Sequence, residues 1–172
     1  MEKYAKMLEG NKRFEKSNKD FKELVNGQHP EYVVIACSDS RVVPEYIFGA
    51  KLGSIFVIRV AGNVVDDAAL ASIEYAVEEL NVKNVLMLAH THCGAVTAAY
   101  NSESSSSGSK LDWLIERIRK NIDKSKETLD EAILSNARKE AAIIRGDPAI
   151  SGKAEVSIGM YDIETGKVSI IE

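Results

Sequence analysis

The sequence predicts an α/β fold: a central, mainly parallel sheet with flanking helices, an N-terminal helical arm and a C-terminal β-hairpin. Three observations support this. Short, nearly continuous apolar runs at 32–37, 54–60 and 84–90 have the composition of strands buried on both faces. Stretches with helical spacing of apolar residues alternate with them, which is the order that builds a parallel sheet. The end of the chain instead alternates apolar and polar residues around a glycine-containing turn, the pattern of a hairpin.

Residues 1 to about 26 form the arm. Tyr4, Met7, Leu8, Phe14, Phe21, Leu24 and Val25 recur near helical spacing, as one helix or as two broken near Ser17-Asn18. Gly27 ends the arm and Pro30 prevents its continuation. The run Tyr32 to Cys37 is the first strand, and Ser54 to Val60 the second, stopped by Ala61-Gly62-Asn63. A helix follows over 66–80, with Asp66 and Asp67 at its N-terminus and Leu70, Ile73, Val77 and Leu80 on one stripe. Asn84 to His90 is the third strand, followed by helix formers from Gly94 to Tyr100. The serine-rich stretch 101–109 is a flexible loop. Residues 110–145 are helical again, with Leu111, Trp113, Leu114, Ile115 and Ile118 as a packing face and a second piece starting near Thr128. Gly146-Asp147-Pro148 ends that piece. In the tail, Val156, Ile158 and Met160 alternate, residues 164–167 turn, and Val168 to Ile171 return.

A length of 172 residues fits one domain spanning 1–172. A chain that is 45 % hydrophobic and 28 % charged is not globally disordered, and 6 % aromatic content makes the core aliphatic. The net charge of −4 argues against a nucleic-acid binder. No apolar run approaches the ~20 residues of a membrane span, and the start lacks an apolar signal core, so a cytoplasmic protein is expected. Two cysteines in a reducing compartment do not call for a disulfide.

Chemistry concentrates at strand ends. Cys37 closes the first run, His90 the third, and Cys93 follows three residues later. Ligands of open α/β sheets bind beyond the carboxyl ends of the strands, so one sheet edge collects two thiolates and an imidazole. That donor set suits Zn²⁺. Three donors leave a fourth position for His92, for His29 or for a water, and an open position is the mark of a catalytic site. In Cys37-Ser38-Asp39-Ser40-Arg41 an extended chain points residues 37, 39 and 41 the same way. Arg41 then holds Asp39 ionised through a two-point pair, and Asp39 either accepts a hydrogen bond at the open position or occupies it.

The cluster Cys37-Ser38-Asp39-Ser40-Arg41 followed by His90-x-x-Cys93-Gly94 resembles the β-class carbonic anhydrases. Val42-Val43-Pro44-Glu45, Ala61-Gly62-Asn63 and Ser72 to Val77 fit the same pattern. The resemblance runs from Gly27 to Ala98 and resumes weakly at 157–166. It implies one zinc per chain on Cys37, His90 and Cys93, with Asp39 and Arg41 as the acid–base dyad. It also implies the plant-like subgroup's substrate pocket: Gln28 as a hydrogen-bond donor to bicarbonate, and Phe56, Ala61 and Tyr75 as an apolar wall, Phe56 and Tyr75 arriving from a neighbouring subunit. On their own, Phe56 and Tyr75 read as plain core aromatics. Val34 stands where the allosteric bicarbonate-binding subgroup carries Trp, although Arg59 matches another residue of that site.

The expected function is reversible hydration of CO₂ to bicarbonate and a proton, with Gln28 and the N–H groups near Gly94 steadying developing charge. Carbonyl sulfide or carbon disulfide hydrolysis on the same scaffold is a close alternative. A non-catalytic zinc-binding module is another. Self-association to a dimer or tetramer is expected, the apolar arm packing on a partner subunit. At low pH Asp39 is expected to bind zinc, and at high pH to pair with Arg41.

Overall fold

The computed structural model describes residues 2–17, 21–102 and 108–172. A 3-10 turn, Glu2–Tyr4, leads into α1 (Ala5–Ser17), and α2 (Phe21–Leu24) follows. The break expected near Ser17-Asn18 and the middle of the serine-rich loop fall on 18–20 and 103–107, outside the described residues. Next come β1 (Tyr32–Ala36), α3 (Pro44–Ile47), β2 (Ile55–Arg59), a 3-10 turn at Ala61–Asn63 and α4 (Asp67–Glu78). The chain continues through β3 (Asn84–His90), α5 (Gly94–Asn101), α6 (Lys110–Arg119), α7 (Leu129–Gly146), β4 (Glu155–Tyr161) and β5 (Val168–Ile170).

Helix starts follow the capping chemistry. The Asp66 side chain accepts the Ala69 N–H at 2.8 Å and fixes the first turn of α4. Ser109 with Asp112, and Thr128 with Glu131, form reciprocal capping boxes at the starts of α6 and α7. The charged stretch 110–145 therefore divides into two helices, the second beginning where Thr128 predicts.

The five strands form one sheet in the order β2-β1-β3-β4-β5. β1 pairs in parallel with β2 and β3, and β3 with β4; β5 is antiparallel to β4. The tail hairpin is thus an extension of the central sheet, with β4 adding to β3 along its whole length. Val33, Ile35, Met87, Ala89 and Ile158 pack on one face against Ile73, Val77, Val96 and Ile144. Val34, Ala36 and Leu88 face the other side, with Val42 and Ile47 over them. Cover on both faces is why the parallel strands read as unbroken apolar runs. The arm leaves Tyr4, Met7, Leu8 and Phe14 exposed. Among the described residues, no helix is long and apolar enough to cross a membrane.

Glu140 of α7 is fully buried. Its carboxylate accepts from Arg117 at 3.0 and 3.2 Å, from Asn121 at 2.7 Å and from the Val65 backbone at 2.9 Å. Glu140→Ala strands these donors and opens a cavity. It is expected to lower unfolding stability by roughly 3 kcal/mol, read as a lower urea midpoint. An unchanged midpoint would show that water replaces the carboxylate without loss.

Candidate metal centre

The chain leaves β1 toward β2 on one side, and β3 lies on the other, so a crevice opens at the carboxyl ends of β1 and β3. Cys37 follows β1 directly, His90 ends β3, and Cys93 is the N-cap of α5. Their donor atoms lie within 4.8 Å of one another and all three residues are buried. His92 adopts φ +56°, a tight turn between β3 and α5 that returns Cys93 to the side His90 faces.

The His90 ring is set by its neighbour. Its Nδ1 lies 2.9 Å from the Thr91 carbonyl, which can only accept, so Nδ1 carries the hydrogen. Nε2 is left with a bare lone pair, buried and without a hydrogen-bond partner. A buried orphan acceptor costs about 1–3 kcal/mol unless a cation or donor meets it.

The sulfurs are tightly interdependent. Cys37 Sγ accepts the Gly62 N–H at 3.3 Å and the Asp39 N–H at 3.4 Å. The Cys93 thiol, the largest influence, together with His90 and these two amides, holds the Cys37 thiol well below its usual range against the opposing effect of burial. Cys93 is pushed up, first by Cys37 and then by burial, while the Ala95 and Val96 N–H groups of α5 pull the other way. Two thiolates buried together require a shared positive charge, either a proton or a dication. Two thiolates and an imidazole with its Nε2 free fit Zn²⁺.

Asp39 and Arg41 flank this cluster. Arg41 Nε donates to Asp39 Oδ1 at 2.9 Å, its Nη2 to Oδ2 at 2.7 Å, and its backbone N–H to Oδ1 at 3.0 Å. The Arg41 guanidinium holds the Asp39 carboxyl well below the usual carboxylate range, against a smaller desolvation effect. The pairing does not come from an extended chain, as expected above. Val42 N–H bonds the Asp39 carbonyl at 2.9 Å, and this turn brings Arg41 back onto the carboxylate. Arg41 Nη2 also reaches the His92 carbonyl at 3.3 Å, joining the two ligand loops.

Of the other expected site residues, Ala61 is half-buried and precedes Gly62, whose amide touches Cys37. Gly94 begins α5 and is exposed. Phe56 on edge strand β2 and Tyr75 on α4 make a tilted ring contact with centroids 6.2 Å apart, and Tyr75 is 48 % exposed. Gln28 is exposed in the loop before β1. Among the described residues no hydrogen bond links Gln28, Phe56 or Tyr75 to the metal cluster within one chain. His29 is exposed, and His92 pairs with Glu164 at 2.9 Å, so neither joins the donors.

Sequence reasoning did not assign the supports of the site to this role; it named Arg59 only for a different one. Arg59 donates to the Cys37 carbonyl at 3.0 Å and to the Asp39 carbonyl at 2.5 Å, fixing the loop that carries both residues. From α7, Asn136 reaches the Gly62 carbonyl and Glu140 the Val65 N–H, both on the turn after β2. Two polar residues four apart on a stripe of Ile133, Ala137, Ala141 and Ile144 were the available signal.

A family model described as carbonic anhydrase matches residues 32–168. The carbonic anhydrase of Pseudomonas aeruginosa is 32 % identical over 184 residues, covering 88 % of this chain and 78 % of that protein. Carbonic anhydrase 2 of Mycobacterium tuberculosis is 54 % identical over 76 residues, covering 44 % of this chain and only 37 % of that protein. The chain therefore matches little more than a third of the length of that relative. A Coccomyxa β-carbonic anhydrase solved in complex with acetazolamide superposes with a TM-score of 0.86 at 26 % identity, covering 98 % of this chain and 86 % of that one. A tetrameric β-carbonic anhydrase of Sordaria macrospora gives 0.85 at 28 % identity, covering 99 % and 98 %. With the family match spanning most of the chain and the Cys-His-Cys donors gathered at the β1–β3 crevice, this chain belongs to the β-class carbonic anhydrase family.

Proposed function

We propose that the protein catalyses reversible hydration of CO₂ to bicarbonate and a proton. One observation carries the reading: a buried three-donor centre lies directly beside a carboxylate that an arginine keeps ionised. Cys37, His90 and Cys93 would hold one zinc per chain, and zinc there supplies Lewis-acid activation of water near neutral pH. Asp39 accepts a hydrogen bond from the reacting water, and Arg41 keeps its carboxylate charged and turned. Ala61 gives the centre an apolar border. The N–H groups at the start of α5, near Gly94, offer donors to a developing anion.

Gln28, Phe56 and Tyr75 complete the pocket in our reading, with Phe56 and Tyr75 contributed across a subunit interface. Edge strand β2 and the exposed Tyr75 ring support this, as does the exposed apolar side of the arm, which needs a partner surface. We read residues 1–172 as one zinc-binding domain with 1–26 as its arm, assembled as a dimer or tetramer. Light scattering should give a dimer or larger; a fully active monomer would contradict the shared pocket. Thiol donors kept reduced suit the cytoplasm.

The test is stopped-flow CO₂ hydration with metal analysis on the same sample, and turnover of carbonyl sulfide and carbon disulfide beside it. Hydration by zinc-loaded protein is expected. Much faster carbonyl sulfide turnover would reassign the substrate, and bound zinc without hydration at any pH would make the protein a binding module.

A further inference from the structure

Asn136 and Glu140 of α7 are 2 % and 0 % exposed, polar groups on an apolar helix face. Both end on the turn after β2. Asn136 Nδ2 donates to the Gly62 carbonyl at 2.7 Å, and Glu140 accepts the Val65 N–H at 2.9 Å. From the sheet side, Asn63 Nδ2 donates to the Leu88 carbonyl at 2.6 Å and the Ile35 carbonyl at 3.3 Å. The turn is held between α7 and the two strands that carry the metal donors. Gly62 itself sits at φ +68°, and a Cβ there would meet Ile118 Cδ1 at 2.5 Å, so the turn packs closely on α6 at a residue without a side chain. The Asn136 amide is oriented in turn: Asn121 Nδ2 donates to Asn136 Oδ1 at 3.0 Å, which leaves Nδ2 facing Gly62. With its carbonyl fixed in this way, Gly62 presents its N–H to Cys37 Sγ at 3.3 Å.

We infer that Asn136 is a positioning residue for the metal centre, holding the Gly62 N–H on the Cys37 sulfur through the Gly62 carbonyl. The inference rests on Cys37 being a metal ligand. An N–H on a thiolate draws electron density from the sulfur and fixes its direction. Loss of such an outer partner typically changes metal affinity by roughly 10–100-fold.

Cobalt(II) in place of zinc is the probe. Asn136→Leu keeps the branched outline of the side chain and removes the donor, while the Asn121 amide retains Glu140 Oε1 at 2.7 Å. The cobalt-loaded variant is expected to bind one ion per chain with its sulfur-to-metal charge-transfer band at longer wavelength, and to lose the ion to a chelator about 10-fold faster. Ile144→Val lowers stability on the same helix without touching the turn, and should leave band and release rate in place. Asn121→Ala frees the Asn136 amide to rotate; it should move the band the same way by less, and it decides the matter if Asn136→Leu does not fold. An unmoved band with unchanged release, or an equal change in Ile144→Val, would overturn the inference. A parent protein that takes up no cobalt would overturn the metal reading as well.

Discussion

Alanine at Cys37 or Cys93 is expected to empty the metal centre. The buried donor group contains three residues, and the nearest carboxylate, Asp39, has both oxygens engaged by Arg41. Full sets of thiolate and imidazole donors bind zinc with apparent free energies of about 10–16 kcal/mol, so one donor of three accounts for roughly 3–5 kcal/mol and about a thousand-fold in affinity. Zinc per chain, measured after dialysis, should fall from one to near zero, and hydration should fall with it. His90→Ala should do the same, because the Thr91 carbonyl turns the His90 lone pair toward the sulfurs and nothing else nearby supplies a nitrogen. Full zinc retention in either cysteine variant would remove that cysteine from the ligand set.

The sheet was legible because its chemistry is local. Each parallel strand is a short apolar run, and Asp66 and Thr128 mark helix starts with capping side chains that need no tertiary information. The donors were legible for a related reason: strand ends in a parallel sheet face one edge, so Cys37, His90 and Cys93 meet wherever β1 and β3 are neighbours. The Asp39–Arg41 pair was expected by the wrong route, since a turn closed by Val42 and an extended strand place residues two apart together equally well. The supports were not legible. Arg59, Gly62 and Asn136 act through backbone carbonyls and amides, and nothing in a one-dimensional pattern says which carbonyl a distant arginine or asparagine will find. Gln28, Phe56 and Tyr75 were expected only by resemblance. One chain leaves Gln28 and Tyr75 exposed, as it would leave any pocket completed by a second copy.

Arg41→Ala is expected to lower hydration about 10-fold near neutral pH and by less as the pH rises, while Asp39→Asn should cost about 100-fold or more throughout, the scale of losing an acid–base group. The sign follows from the pair's ionisation. Arg41 holds the Asp39 carboxyl well below its ordinary value, so the pair's contribution to stability is complete above the ordinary carboxylate pKa of ~4 and fades as pH falls below it. Asp39 is therefore charged across the neutral range with or without Arg41. A neutral-range effect of Arg41→Ala reports where the carboxylate sits, not whether it is ionised. In the parent structure both carboxylate oxygens are engaged by Arg41, and the backbone N–H of Asp39 lies 3.4 Å from Cys37 Sγ. A carboxylate released from Arg41 has a cation held by Cys37 as its nearest counter-charge. It competes there with hydroxide, which becomes scarcer as pH falls, so the loss should be deepest at neutral pH and below and should shrink toward alkaline pH. Stopped-flow rates for parent and variant from pH 6 to pH 9 measure this directly. Rates unchanged by Arg41→Ala, or lowered by the same factor at every pH, would show that Arg41 does not hold Asp39 away from the metal.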